Sequence, residues 1–111
     1  MKFGVHLPTF WADYGTSNVR TAVVETAQAA EALGYAGVWA NDTVVVSPDQ
    51  AWAGHVIEPL ITLASLVHLI PHLKLGISVL VVPQRNIFLV AKQVAALDVF
   101  SEGRLILGIG D

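Results

Sequence analysis

The protein has 111 residues, enough for one domain with a buried core. Charged residues make up 14% of it and AVILMFWYC residues 54%, so polar side chains are too few to cover a small globule and we expect something else to cover part of its surface. A formal net charge of −3 with scattered basic residues argues against nucleic acid as a partner, and the absence of cysteine excludes disulfides, thiolate metal sites and a cysteine nucleophile.

The N-terminal apolar run and the longest apolar stretch predict neither export nor membrane insertion. The first is too short and too interrupted to be the core of a signal peptide. The second, residues 59–82, is broken by His68, Pro71, His72 and Lys74, which leaves no uninterrupted span of about 20 apolar residues. We therefore expect a soluble, cytoplasmic protein with no membrane partner.

The first third of the chain predicts a strand, a helix and a second strand. Residues 2–7 form an apolar run closed by Pro8. Helical spacing follows, with Asn18 or Ser17 as the candidate cap. The residues predicted to share the buried helix face are Val19, Val23, Ala27, Ala30 and Leu33. Gly34 predicts the helix end, and residues 35–40 predict the second buried strand.

A second helix and a third strand are predicted next. Glu58 and Pro59 stand where a helix would begin, and Pro71 stands where it would end. Its predicted inner face carries Leu60, Leu63, Ala64 and Val67. Residues 74–82 are a continuous, β-branched apolar run closed by Pro83, which is typical of a strand buried on both faces.

The last part of the chain predicts a third helix and a fourth strand. Asn86 is the candidate N-cap, and the helix should end near Ser101 and Gly103. Its predicted inward residues are Ile87, Val90, Ala91, Val94 and Leu97. Residues 104–108 then predict the fourth strand. This alternation predicts a parallel sheet wrapped by helices in one partial domain over residues 1–111, and it fits either an open doubly wound sheet or part of a (β/α)₈ barrel.

Both architectures bind ligands beyond the carboxyl ends of their strands. The residues to inspect are therefore 6–11, 41–43, 78–83 and 108–111. Asp42 could hydrogen-bond a ring nitrogen or hydroxyl of a cofactor, or it could cap the following turn. His6 could be a satisfied core histidine, or an inward polar residue that faces ligand.

Other chemistry-bearing patterns are incomplete. His68 and His72 have the spacing of two metal ligands on a helix, but Pro71 separates them and no acidic partner is near, so we predict no metal site. Gly108 and Gly110 lack the helix and third glycine of a dinucleotide fingerprint. No nucleophile elbow or phosphate-cradling loop is present.

Several segments match one family in order and spacing. The matching residues include Lys2 to Pro8, then Gly34, Tyr35, Gly37, Val38, Trp39 and Asp42, then Gly76 to Asn86, Ala91, Lys92, Gln93, Ala95, Leu97, Asp98, Ser101, Gly103, Arg104, Leu107, Gly108, Ile109 and Gly110. On these residues the chain resembles the luciferase-like monooxygenase superfamily nearly from end to end.

The resemblance implies a fold and a cofactor class. Members of this superfamily are (β/α)₈ barrels, or TIM barrels, that bind FMN or the deazaflavin F420 at the carboxyl end of the barrel and move hydride, sometimes with oxygen. Because a complete barrel needs roughly 250 residues, the chain should be its N-terminal half, an α/β fold with about four parallel strands and three helices.

The resemblance also implies site residues. In F420-using relatives a non-prolyl cis peptide after the third strand makes a bulge that supports the ring, and the matching bond is Ser78–Val79. The acidic residue that ends the second strand maps onto Asp42, and His6 is a further candidate for the same pocket. Many relatives follow that acid with a histidine where this chain has Thr43, so the catalytic acid or base stays unassigned.

Three functional hypotheses follow. The first is the N-terminal part of an F420-dependent oxidoreductase that transfers hydride between the deazaflavin and a small organic substrate. The alternative is an FMN-dependent luciferase-like monooxygenase. A hypothesis of another class is a truncated half-barrel with a structural or assembly role and no activity alone. Exposed sheet edges predict a homo-oligomer or association with the rest of the barrel.

Overall fold

The computed structural model alternates strands and helices along the residues that it describes. The structure describes residues 1–9, 15–43, 49 and 56–111, apart from the side chains of residues 15–17. In chain order the elements are β1 (Gly4–His6), α1 (Gly15–Ala32), β2 (Gly37–Ala40), α2 (Pro59–Leu66), β3 (Lys74–Val81), a 3₁₀ turn (Val82–Gln84), α3 (Ile87–Phe100) and β4 (Leu105–Gly110).

The four strands form one parallel sheet in the order β1-β2-β3-β4. A doubly wound sheet reverses its strand order at a switch point, whereas a barrel adds each strand beside the preceding one. The sequential order therefore distinguishes the two architectures that the alternation left open, and it is the order of a barrel. The β3–β4 pairing has one irregularity, a register shift between Ile77 and Leu80.

The core lies between the helices and one face of this sheet. Val38, Ala40, Leu75 and Ile77 have no exposed surface and belong to the same buried cluster as the inner residues of the helices. Because strand side chains alternate, the residues between them point to the opposite face, where Trp39 is half-buried. This opposite face corresponds to the inside of a barrel.

Local signals at the helix ends explain where most helices begin and end. The Glu58 and Asn86 side chains accept hydrogen bonds from the backbone N–H groups of Ile61 and Leu89, which makes both residues N-caps. The cap was predicted for Asn86, and for Glu58 only that the helix begins there. After α1, Gly34 has a φ of 80° and donates to the Glu31 carbonyl. This left-handed residue ends the helix as predicted.

The buried helix faces were predicted correctly in part. Val19, Val23, Ala27 and Ala30 are buried, but Leu33 is 76% exposed because it follows the last helical residue. On the second helix Leu60, Leu63 and Val67 are buried while Ala64 is exposed, and on the third Val90 and Leu97 are buried while Ile87 and Ala91 are exposed. Helical spacing gives the direction of a face, not how much of it neighbouring elements cover.

Some element boundaries also differ from the predictions. Asn18 and Ser17 lie inside α1 rather than at its cap, since the helix begins at Gly15. The second helix ends at Leu66, before Pro71, and β4 runs two residues further than predicted, to Gly110. Residues 10–14, which include part of the predicted ligand edge, lie outside the described residues.

Candidate functional site

The carboxyl ends of all four strands lie at one edge of the sheet because the strands are parallel. At this edge Ser78 and Val79 are exposed, between the buried residues Ile77 and Leu80. Their peptide bond is cis, as the resemblance predicted. The β3–β4 register shift falls on the same two residues. The predicted bulge is therefore present where its side chains face open space.

One glycine of β4, Gly110, makes room for Val79. A Cβ atom built on Gly110 would overlap the Val79 side chain, whereas one built on Gly108 would overlap the Ile77 carbonyl oxygen and lie in ordinary contact with Val79 at 3.4 Å. The Val79 side chain thus packs directly on the β4 backbone while 41% of its surface stays exposed. Together they form an apolar surface at the ligand edge, with the Ser78 hydroxyl beside it.

Asp42 lies at the end of β2 and is held by groups of the next strand. Its Oδ2 atom accepts hydrogen bonds from the Val81 N–H at 2.9 Å and from Arg85 Nε at 3.2 Å, and its Oδ1 atom accepts one from Arg85 Nη2 at 2.7 Å. The Asp42 side chain is only 2% exposed. Its predicted contact with a cofactor ring stays a prediction.

Arg85 joins Asp42 to a second carboxylate. Its Nη1 atom lies 2.8 Å from Glu58 Oε1, and the side chain of Glu58 is 34% exposed. Burial by itself lowers the pKa of Arg85, but the hydrogen bonds and charges of Asp42 and Glu58 outweigh it, so that its pKa is raised above the usual arginine value. The guanidinium therefore stays charged.

The first strand contributes His6, which is exposed and pairs in register with Trp39. Both residues lie on the sheet face opposite the helices, so His6 takes the inward position that the sequence left open against a core histidine. Beyond this strand the Thr9 hydroxyl is fully buried and makes no hydrogen bond to any of the described residues. It marks a polar position at the ligand edge that the sequence did not single out.

Two hollows border the sheet ends. A cavity of about 260 Å³ lies at the ligand edge and is lined by Asp42, Thr43, Val56, Glu58, Gln84 and Arg85. A larger, shallow hollow of about 670 Å³ lies at the opposite end, around Phe3 and Tyr35. Ligands of parallel α/β folds bind at the carboxyl ends, where the smaller cavity lies. The described residues that line it do not include Ser78 or Val79, so it borders the exposed pair on the side of Asp42 and Arg85.

The sequence pointed to Asp42, Ser78 and Val79 but gave no role to Arg85. The signal that could have found it is its position a few residues after the third strand, in a chain with only six Lys and Arg residues. A basic residue at the same sheet edge as Asp42 is a natural partner for it, because buried charges are paired.

The comparisons with known proteins agree with this geometry. The family model described as luciferase-like monooxygenase matches residues 1–111. The chain belongs to the luciferase-like monooxygenase family. No curated protein sequence matches it.

Two solved structures share the fold of this luciferase-like chain. One is the oxygenating constituent of 3,6-diketocamphane monooxygenase from Pseudomonas putida, a type II Baeyer–Villiger monooxygenase in complex with FMN, at a TM-score of 0.84 and 18% identity over 99% of this chain and 29% of that one. The other is the monooxygenase RslO1 from Streptomyces bottropensis, at a TM-score of 0.84 and 23% identity over 99% of this chain and 33% of that one.

The fold assignment follows from these matches. The four parallel strands and three helices of the described residues correspond to the half-barrel that the sequence predicted. The luciferase-like chain spans about a third of the length of the solved relatives that it matches. Within its described part, no helix is both long and apolar enough to cross a membrane.

Proposed function

We propose that this chain is the N-terminal portion of an F420-dependent oxidoreductase that transfers hydride between the deazaflavin and a small organic substrate. The observation that carries the proposal is the exposed Ser78–Val79 pair at the carboxyl edge of the sheet, with Val79 packed on Gly110 of β4. Barrel enzymes place their chemistry at this edge.

The described residues fit a flavin-type ring. Such a ring is flat and largely apolar on its faces, with polar atoms along its edge. Val79 offers an exposed apolar surface, and its close approach to Gly110 keeps that surface against the sheet. The Ser78 hydroxyl can hydrogen-bond a polar ring edge, and His6 lies on the inward face of the same sheet.

The protein's part in this proposal is to bind and orient the ring, while the redox chemistry comes from the cofactor. When bound, the deazaflavin would give or take a hydride, with the organic substrate as its redox partner. Val79 would support one ring face and exclude water from it. Thr43 has no acid–base role in the neutral range, so the proton donor or acceptor stays unassigned.

FMN is the alternative cofactor, and one observation favours it. The Pseudomonas putida relative of the same fold is described in complex with FMN, as a monooxygenase. In that case the protein would be an FMN-dependent luciferase-like monooxygenase, and the same Ser78–Val79 surface would support the isoalloxazine ring. The proposed partners are otherwise unchanged: a small-molecule substrate, and a second copy or the rest of the barrel, in the cytoplasm.

Fluorescence titration of the purified protein with F420 and, separately, with FMN tests the proposal. We expect saturable quenching with F420 and weaker or no quenching with FMN; the reverse order would support the alternative. Val79→Asp should abolish binding, because it places a charge where the ring face should lie. Leu33→Asp is the matched control, since Leu33 is 76% exposed and lines the hollow at the opposite end. Equal loss in both variants, or no binding to either cofactor, would refute the proposal.

A further inference from the structure

The carboxylate of Asp42 is already occupied by its own chain. Two hydrogen bonds come from Arg85 and one from the Val81 N–H, and the side chain is 2% exposed. A bidentate guanidinium–carboxylate pair is among the stronger polar contacts in proteins. A cofactor atom would have to compete with this pair in order to reach the carboxylate.

The hydrogen bond between Asp42 and the Val81 N–H lies just beyond Ser78 and Val79 along β3. Before that pair, Ile77 is held on both sides by its register partners Ala40 and Leu107. After it, the β3–β4 register has shifted. The Asp42–Val81 hydrogen bond therefore ties the far end of the irregular segment to β2.

Arg85 is a second residue that connects the end of β3 to Asp42. It follows the 3₁₀ turn after β3, and its backbone N–H donates to the Val82 carbonyl. Its guanidinium bonds Asp42 on one side and Glu58, the N-cap of α2, on the other. One side chain thus links the end of β2, the end of β3 and the start of α2.

We propose that Asp42 and Arg85 are positioning residues that hold Ser78 and Val79 in place for the ring, and that Asp42 acts through Arg85 and Val81 rather than by touching the cofactor. The inference rests on the proposed function, because it assigns work at the same site. If Asp42 touched the cofactor directly, Arg85 would need no role in binding. In the positioning role, Arg85 matters as much as Asp42.

The two roles for Asp42 predict different results for Arg85→Lys. This variant keeps a positive charge but loses the two-pronged hydrogen bond, and it leaves the Asp42 carboxylate in place. If Asp42 touched the ring, Arg85→Lys would leave cofactor affinity unchanged or raise it, because the carboxylate would be freed. If the pair positions the ring surface, Arg85→Lys weakens binding as much as Asp42→Asn does.

The experiment is a double-variant cycle on cofactor affinity. Asp42→Asn, Arg85→Lys and the double variant are titrated with F420 and FMN, and the visible circular dichroism of the bound ring is recorded at saturation. Supporting groups behind a ligand residue contribute about 10- to 100-fold in affinity at metal sites. We expect about a tenfold loss in each single variant on that scale, no further loss in the double variant, and an altered ring spectrum in all three.

Arg104→Lys is the matched control. Arg104 donates to backbone carbonyls at the amino end of the sheet, so the same chemical change should lower stability while leaving affinity and ring spectrum as in the parent. Full affinity in Arg85→Lys, or losses in the two single variants that add up in the double variant, would overturn the positioning role alone. A parent protein that binds neither cofactor would overturn the proposed function and this inference with it.

Discussion

The indole of Trp39 covers Gly76 of the neighbouring strand, in the space that a Cβ atom would need. A Cβ atom built on Gly76 would overlap the six-membered ring of the indole, and one built on Gly4 of β1 would overlap its Nε1 side. Trp39 on β2 therefore spans three strands on the inner face of the sheet. The two glycines are needed for close packing, not for an unusual backbone conformation.

Gly76→Ala should destabilise the protein by roughly 1–3 kcal/mol, because overfilling a tightly packed site forces its neighbours to move. Urea denaturation of the variant and parent measures the difference. The Trp39→Phe/Gly76→Ala double variant, compared with Trp39→Phe alone, should recover part of the loss, since the smaller ring leaves room for the methyl group. Additive losses would show that Trp39 is not the obstacle.

The last turns of α1 and α3 end in the same motif with different residues. After α1, Gly34 has a φ of 80° and the Tyr35 N–H donates to the Ala30 carbonyl; after α3, the residue in the corresponding place is Glu102, with a φ of 55°. A left-handed backbone costs a residue with a Cβ atom about 1–2 kcal/mol.

Replacing Gly34 with a residue that has a Cβ atom, and Glu102 with glycine, should change the free energy of unfolding in opposite directions. Gly34→Ala should lower the free energy of unfolding by about 1 kcal/mol, and Glu102→Gly should raise it by up to about 1 kcal/mol. Thermal denaturation monitored by circular dichroism would test both. A Glu102→Ala variant, which keeps the Cβ atom, should show no gain; a gain equal to that of glycine would point to charge rather than backbone strain.

Arg104 holds the connection between α2 and β3 against the start of β4. Its guanidinium donates to the carbonyls of Val67, Ile70, Leu73 and Ser101 at 2.7–2.9 Å. Arg104→Met should cost roughly 2–4 kcal/mol, since several part-buried carbonyls lose their donor. Arg20→Met on the exposed face of α1 is the control and should change stability by less than about 0.5 kcal/mol. Similar losses in both variants would contradict this role.

The two carboxylates that pair with Arg85 should contribute unequally to stability. Asp42→Asn should cost roughly 1.5–3 kcal/mol, because the side chain is 2% exposed and loses charged hydrogen bonds. Glu58→Gln should cost at most about 1 kcal/mol, because solvent screens a side chain that is 34% exposed. Urea denaturation of both variants measures the contrast.

The stability that the Asp42–Arg85 pair contributes depends on pH with a definite sign. The pKa of Arg85 is raised in the folded protein, so the stability that its charge contributes is complete below the usual arginine range and is lost only as the pH rises through the raised pKa. The loss in free energy of unfolding caused by Asp42→Asn should therefore be the same at every pH in the neutral range, because Arg85 stays protonated there. If that loss became smaller between neutral and mildly alkaline pH, a group other than Arg85 would control the pair.

The order and type of the elements followed from sequence alone. Each strand is a short apolar run closed by proline, glycine or polar residues, and each helix has a local start or stop signal such as Asn86, Glu58 or Gly34. These signals act within a few residues, so they can be recognised without the fold. The resemblance added the position of the Ser78–Val79 bulge, which no periodicity predicts.

What the tertiary structure decided were the relationships between distant segments. The sequential strand order separated a barrel from a doubly wound sheet, and register placed Trp39 between His6 and Gly76. The Asp42–Arg85 pair joins residues 43 positions apart, and whether Asp42 is open or closed to a ligand depends on that contact. Local propensity carries no information about such pairs, because their energy arises only when the sheet brings the two strand ends together.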